Sequence, residues 1–207
     1  MKYLKMLSLA AVAAMALMAF GAGTASATKL YKHTTALGVG TEITASLASG
    51  TSSRLTTTGG TTLNTCTSSS VAGEIENAGG ASATVEGNVE PENLTWTNCS
   101  TGSVTTTVGG NLVIHHIAGT TNGTLTAEDF EVTVDTFFGP CTYVAGEGTH
   151  LGTLTGNSST SGHATMDINA IVTRKAEDPD DGTCPSSARW VGTYTVTSPT
   201  GLNVEAS

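Results

Sequence analysis

The chain has 207 residues, an acidic balance of 17 Asp and Glu against 8 Lys and Arg, and only 5% aromatic residues. Its charged fraction of 12% is about half of what is usual for a globular domain. These values argue against a nucleic acid partner, because phosphate binding needs a basic patch, and against anionic membrane surfaces for the same reason.

The first 27 residues have the pattern of a secretory signal peptide. Lys2 and Lys5 form a positive start, an apolar core runs from Leu7 to Phe20, and Ala25-Ser26-Ala27 is an A-x-A cleavage site. We therefore expect cleavage near Ala27 and a secreted or cell-surface protein, with no membrane insertion after the signal is removed.

The remainder, residues 28–207, is predicted to be a single all-β domain. Apolar and polar residues alternate from Phe130 to Asp135 and from Met166 to Val172, while Leu112 to Ile117 is apolar on both faces. Pairs such as Gly59-Gly60 and Gly79-Gly80 supply turn signals between such runs. Short strands with this spacing predict an antiparallel β-sandwich, Ig-like or jelly-roll-like, with about ten to twelve strands.

The stretch after the cleavage site is harder to interpret. Residues 41–65 are rich in Thr, Ser and Gly, which do not distinguish a buried face from a solvent face. We expect residues 28–60 to form an N-terminal arm. An exposed strand in this low-charge stretch would be a template for self-association.

Four cysteines lie after the signal, at Cys66, Cys99, Cys141 and Cys184. An even number in an exported protein predicts two disulfides, with three connectivities open. Cys66–Cys99 and Cys141–Cys184 are favoured because each pair brackets one block of strands. A four-cysteine metal site is disfavoured, since it needs closely spaced pairs.

One loop is a candidate metal site. Glu177, Asp178, Asp180 and Asp181 precede Gly182, and Ca²⁺ takes oxygen ligands of this kind. The alternative is a solvated acidic loop, which is the more common use of such residues. No other cofactor is predicted.

Catalytic residues are not predicted. The chain has no G-x-S-x-G elbow, and Ser161 beside His163 is a chance neighbour in a chain this rich in hydroxyls. Among the aromatic residues, Phe137 and Phe138 at a strand end are the candidate exposed pair. We expect most of the others to lie in the core.

The cysteine-bearing segments resemble a group of small exported disulfide-containing proteins of actinobacterial type, mostly uncharacterised. More distantly, the signal peptide and the Thr/Gly-rich β pattern are similar to secreted activator-of-alkane-oxidation (PraB-like) proteins. The resemblance implies export and a β fold, and it transfers no catalytic residues. It is carried by Thr61 to Ser70, Leu94 to Cys99, Cys141-Thr142-Tyr143, Cys184-Pro185, Arg189-Trp190 and Tyr194 to Thr200.

Three functions follow as hypotheses. The first is a non-catalytic exported β-sandwich of the cell surface or extracellular matrix, with self-association or envelope partners. The second is a secreted binding module for a small apolar or carbohydrate ligand. The third and most remote is a secreted hydrolase, in which His150 or His163 would meet a carboxylate and a hydroxyl.

Overall fold

The structure, a computed structural model, describes residues 27–137, 139–176 and 183–207. Within these ranges the regular structure is sixteen β-strands and one short 3₁₀ helix, Pro91–Asn93. The strands are β1 (Lys29–Lys32), β2 (Thr35–Ala36), β3 (Glu42–Leu47), β4 (Ser53–Thr57), β5 (Thr62–Gly80), β6 (Ala83–Val89), β7 (Leu94–Cys99), β8 (Val104–Val108), β9 (Gly110–His116), β10 (Gly123–Glu128), β11 (Phe130–Thr136), β12 (Gly139–Ala145), β13 (Thr149–Thr155), β14 (Thr165–Arg174), β15 (Ser187–Ser198) and β16 (Leu202–Glu205).

Eight strands form a closed antiparallel barrel, in the order β3-β5-β6-β9-β10-β13-β14-β15 and back to β3. The closing strand is β3, in which Ser46 lies opposite Thr195 of β15 and Ser70 of β5. The predicted β-sandwich is therefore wrong. Alternation of apolar and polar residues shows which face of a strand is buried. The pattern is the same in a sandwich and in a barrel, so it does not show whether the sheet closes on itself.

Three long strands continue beyond this ring. They are β5 with 19 residues, β15 with 12 and β14 with 10. Shorter strands pair with these extensions. β4 lies between β15 and β5, and β7 lies on the other edge of β5. On the other side β12 pairs with β14, β11 with β12, and β8 with β11. The result is an open half-barrel stacked on the closed ring.

The half-barrel has a gap between β7 and β8. These two strands, both fully described, contact each other but share no backbone ladder. A side chain bridges them instead, because Thr106 Oγ1 donates a hydrogen bond to the carbonyl oxygen of Leu94 at 2.7 Å. We call this line of contact the β7–β8 seam.

A second sheet, in the order β16-β1-β2, covers the other end of the molecule. Leu30 of β1 and Leu202 and Val204 of β16 are buried and belong to the same apolar core as the barrel. The backbone N–H of Thr28 donates to Gly80 and Ala83, which ties the start of β1 to the β5–β6 turn. Residues 28–60 thus supply β1 to β4.

Both disulfides that the cysteine order favoured are present. Cys66–Cys99 joins facing residues of β5 and β7, and Cys141–Cys184 joins β12 to the segment before β15. Disulfides of this kind persist in oxidising compartments.

The faces predicted by alternation are confirmed for two strands. Phe130 and Val134 of β11 are buried and Val132 packs against the core, while the alternate residues of β14 from Met166 to Val172 are buried. The outward positions of the neighbouring strands carry hydroxyls instead. One unbroken row of paired residues crosses six strands through Thr155, Thr165, Thr195, Ser46, Ser70 and Thr95.

Candidate functional site

The interior of the barrel contains three adjacent cavities, each of ≈ 60 Å³. The ring cavity lies inside the closed ring next to Leu30 and Leu202 of the covering sheet. The seam cavity lies in the half-barrel next to Trp96 of β7 and Val104 of β8. The middle cavity lies between them: it shares Val71, Leu112, Leu125 and Met166 with the ring cavity, and Val132, Val172 and Trp190 with the seam cavity.

Small residues at inward positions leave this space unfilled. An eight-stranded barrel is just wide enough for side chains to fill it or for one small ligand. Ala45, Gly73 and Gly87 line the ring cavity, and Ala145 lines the middle one. Gly73 is required by close packing, because a Cβ there would lie 2.9 Å from the carbonyl oxygen of Asn88. A Cβ at Gly87 would lie 3.5 Å from its nearest neighbour, the carbonyl oxygen of Glu74, which is an ordinary contact distance. Close packing of the backbone therefore does not require a glycine at this position.

A group of hydrogen-bonded polar atoms lies behind the apolar lining where the middle and seam cavities meet. Ser53 Oγ accepts hydrogen bonds from Trp190 Nε1 at 3.0 Å and Trp96 Nε1 at 3.3 Å. The hydroxyls of Ser69 and Tyr194 are hydrogen-bonded at 3.0 Å. We call these five residues the serine–aromatic cluster.

The rings of the cluster hold one another in place. Trp96 and Trp190 pack edge to face with centroids 5.8 Å apart, and Trp190 and Tyr194 do so at 6.4 Å. Such pairs stabilise by roughly 0.5–1.5 kcal/mol beyond the area they bury. Ser53, Ser69 and Tyr194 are each more than nine-tenths buried, so the cluster is a rigid polar feature in an apolar interior.

Burial raises the pKa of the Tyr194 phenol, and hydrogen bonds from Ser69, Ser53 and the two tryptophans act in the opposite direction. Burial has the larger effect, since a phenolate removed from water is costly. The phenol therefore keeps its proton at neutral pH and can donate a hydrogen bond.

The described lining of the three cavities contains no Lys or Arg, and its one carboxylate is Glu74 beside the ring cavity. An anionic ligand would meet no countercharge there. Burying an unpaired charge is strongly unfavourable, so these cavities suit an uncharged occupant.

The seven aromatic residues from Trp96 to Tyr194 are distributed unevenly. Phe137 is exposed at the end of β11, with 59% of its surface accessible, while Phe138 lies outside the described residues. The calcium candidates Glu177, Asp178, Asp180 and Asp181 also lie outside them. The other five aromatic residues all line the cavities: Trp96, Phe130, Tyr143, Trp190 and Tyr194.

Sequence reasoning could find part of this site. Trp190 and Tyr194 share a face of β15 by strand alternation, and the structure places both on the cavity wall. No pattern in the sequence distinguishes Ser53 and Ser69 from the other serines, because the chain is rich in Ser and Thr.

The histidines of the hydrolase hypothesis are not brought to the cavities. His150 and His163 are absent from the three linings, and His163 Nδ1 is hydrogen-bonded to the carbonyl oxygen of Val196 at 2.7 Å. Within the described ranges, no three His, Cys, Asp or Glu side chains converge in a way that could hold a metal ion. No helix in that part of the chain has the length and apolar character that crossing a membrane requires.

Comparison with known proteins adds no relative. No protein-family model, no curated protein and no solved structure matches this chain. The cavities and the residues that line them are therefore the features from which a function can be inferred.

Proposed function

We propose that this protein is an exported, non-catalytic binding protein that holds a small apolar molecule inside its β-barrel. The observation that carries the proposal is the line of three adjacent apolar cavities through the interior. The signal-peptide pattern of residues 1–27 and the two disulfides support export.

The size of the cavities fits a ligand of about six to eight carbons. An apolar protein cavity of about 150 Å³ stays dry and binds benzene. Each cavity here has ≈ 60 Å³, so one is too small for such a ligand and a molecule that spans two or three is favoured. Their arrangement in a line favours an elongated shape.

An apolar ligand is favoured over a carbohydrate. A sugar needs a hydrogen-bond partner for each of its hydroxyls, because an unpaired buried hydroxyl is costly. Apart from the serine–aromatic cluster, the middle cavity is lined by aliphatic side chains and Phe130.

The arrangement of the N-terminal stretch also favours the binding function over the assembly function. The segment expected to offer an exposed strand contains β1 to β4, of which the two-residue β2 is a sheet edge. The longer β3 and β4 each pair with β15 on one edge and with β5 on the other. Their backbone groups in those ladders are not available as a template for another chain.

The proposal is tested with the oxidised protein starting at Thr28, titrated with hexane and with 1-alkanols of four to ten carbons. Calorimetry gives the affinity, and fluorescence reports the cavity, because both tryptophans of the chain line it. Each added methylene should tighten binding about fourfold, from roughly 0.8 kcal/mol per buried CH₂, until the cavity is full. Absence of binding by every member of the series would refute the proposal.

A matched pair of variants locates the binding site. Ala145→Val adds two methyl groups at the middle cavity, whereas Ala72→Val adds them on the opposite face of β5, next to the cavity residue Val71. We expect Ala145→Val to weaken binding of the longer alkanols at least tenfold and Ala72→Val to leave it unchanged. Equal affinities in the two variants would place the ligand elsewhere.

A further inference from the structure

We infer that the ligand is an alkylbenzene, with its phenyl group in the middle cavity beside Phe130 and its alkyl substituent in the ring cavity. The inference rests on the proposed function and adds to it the chemical class of the ligand. Toluene and ethylbenzene belong to this class, whereas a saturated hydrocarbon does not.

Aromatic side chains are distributed unevenly along the line of cavities. The described lining of the ring cavity consists of aliphatic side chains, glycines and Glu74, with no aromatic residue. Phe130, Trp190 and Tyr194 line the middle cavity, and the seam cavity also has three aromatic residues in its lining. The interior therefore changes from aliphatic near the covering sheet to aromatic in the half-barrel, and an occupant that matches both has an aliphatic and an aromatic part.

Phe130 approaches the middle cavity from a different wall than the other two aromatic residues. It belongs to β11, whereas Trp190 and Tyr194 belong to β15, and β12 and β14 lie between these strands in the sheet. Trp190 packs edge to face on Tyr194, but in the described part of the chain Phe130 forms no ring pair. All three line one cavity, so its space lies between aromatic side chains of two walls. A phenyl group there gains ring pairs on both sides, which stabilise beyond the area they bury.

The polarity of the middle cavity also suits a phenyl group. The Tyr194 hydroxyl is hydrogen-bonded to Ser69, and the indole N–H of Trp190 donates to Ser53. These polar atoms are held behind the cavity wall, and the two side chains present the carbon atoms of their rings to the cavity. A phenyl group needs no hydrogen-bond partner, so it is buried there without leaving a polar atom unsatisfied.

The junction of the middle and ring cavities determines where the substituent lies. Val71, Leu112, Leu125 and Met166 line both cavities, and a thioether such as that of Met166 makes favourable contacts at the edge of an aromatic ring. The middle cavity has ≈ 60 Å³, less than the about 150 Å³ of an apolar cavity that binds benzene. A phenyl group centred there therefore also occupies adjoining space, and a short alkyl chain extends past the junction into the aliphatic ring cavity.

The first experiment compares ethylbenzene with ethylcyclohexane, which have the same number of carbons, on the oxidised protein starting at Thr28. Each affinity is expressed relative to the ligand concentration in hexadecane equilibrated with the same buffer, which removes the difference in hydration between the two ligands. We expect ethylbenzene to bind about fivefold more tightly on this scale, because its phenyl group gains ring contacts on two sides. We call this ratio the aromatic preference, and a ratio of one would overturn the inference.

A matched pair of variants tests the position of the phenyl group. Phe130→Leu removes the ring from the cavity wall and keeps an apolar side chain, while Phe137→Leu makes the same change at an exposed position outside the three linings. The readout is the aromatic preference within each protein, which a general loss of stability does not change. We expect Phe130→Leu to lower it about twofold or more and Phe137→Leu to retain it. An unchanged preference in Phe130→Leu would contradict the placement.

A spectroscopic measurement on the wild type needs no variant. Met166 is the only methionine after residue 27, so carbon-13 labelling of methionine methyl groups gives one resonance from the protein starting at Thr28. Because Met166 lines both the middle and the ring cavity, the ring current of bound ethylbenzene should shift this resonance, and saturation with ethylcyclohexane should not. Equal shifts with the two ligands would place the phenyl group elsewhere. This measurement decides the question if Phe130→Leu does not fold.

Gly87 tests the position of the substituent. A Cβ there would lie at an ordinary contact distance of 3.5 Å from its nearest neighbour, so Gly87→Ala fills part of the ring cavity without strain. We expect it to weaken ethylbenzene about fourfold relative to benzene, because the added methyl group displaces about one methylene of the substituent. Equal effects on the two ligands would mean that the substituent does not enter the ring cavity.

The failures of the two proposals are distinguishable. If ethylbenzene and ethylcyclohexane bind equally well on the hexadecane scale, the inference about the ligand class is wrong and the binding function stands. If neither of them binds, and hexane and the alkanols do not bind either, both proposals are wrong.

Discussion

At the scale of single residues, the small side chain of Ser53 connects tryptophans of two different strands. Its hydroxyl is the common acceptor for both indole N–H groups and lies between β15 and β5, the two long strands that pair with β4. Strand alternation places Trp190 and Tyr194, four residues apart, on one face of β15. It could not predict the partner of these rings, since Ser53 differs in no local feature from the other serines of a Ser- and Thr-rich chain.

We expect Ser53→Ala to lower the free energy of unfolding by about 2 kcal/mol. An unsatisfied buried donor costs roughly 1–3 kcal/mol, and two N–H groups lose their acceptor, although both indoles are only partly buried. Ser70→Ala is the control, because Ser70 is exposed and bonds to Thr95 on the outer face. Urea unfolding followed by circular dichroism measures both variants, and an equal effect in the two would contradict the role of Ser53.

Tyr194 should make stability depend on alkaline pH. Burial raises the pKa of its phenol above the ordinary value of 10.0, so between these two pKa values the folded state holds a proton that the unfolded state has released. Since the folded state then binds more protons, stability falls as pH rises through and above about 10. We expect unfolding free energies from pH 8 to pH 11 to decline less steeply in Tyr194→Phe than in the wild type. Parallel declines would show that the phenol ionises equally in both states.

At the scale of strands, the sequence predicts which face of a strand is buried, but it does not predict which strand lies beside it. The buried faces of β11 and β14 follow directly from alternation, because each strand has one apolar side. The Thr-rich stretch that forms β3, β4 and the start of β5 has no such side. Its register depends on partners far away in the chain, such as Thr195 opposite Ser46 and Cys99 opposite Cys66, and no local pattern contains that information.

The β7–β8 seam should be the weakest line of the half-barrel. The side-chain bond from Thr106 to Leu94 bridges strands that share no ladder. Thr106→Val keeps the shape and removes the bond, and we expect a loss of about 1 kcal/mol with faster hydrogen exchange in β7 and β8. Thr105→Val, on the exposed face of β8, should change neither. Unchanged exchange in Thr106→Val would mean that packing alone holds the seam closed.

At the scale of the whole molecule, the closed ring explains why a sandwich was predicted. Both folds bury one face of antiparallel strands, and both need turns at similar intervals. The difference lies in β3, which pairs with both β15 and β5 and so removes the sheet edges of the ring. Closure also creates the interior in which the cavities lie, so the candidate site depends on the part of the fold that the sequence does not reveal.

The two disulfides should each contribute several kcal/mol to the stability of this barrel, and their contributions should add. The loops they close span 33 and 43 residues and do not overlap, so the chain-entropy model assigns roughly 4 kcal/mol to each, and separate sites are additive. We expect Cys66→Ala/Cys99→Ala and Cys141→Ala/Cys184→Ala to remain folded with lowered urea midpoints. The quadruple variant should be largely unfolded, since a domain typically has only about 5–15 kcal/mol of stability. Far-ultraviolet circular dichroism of the three variants measures this, and a folded quadruple variant would mean that the barrel does not need an oxidising compartment to be stable.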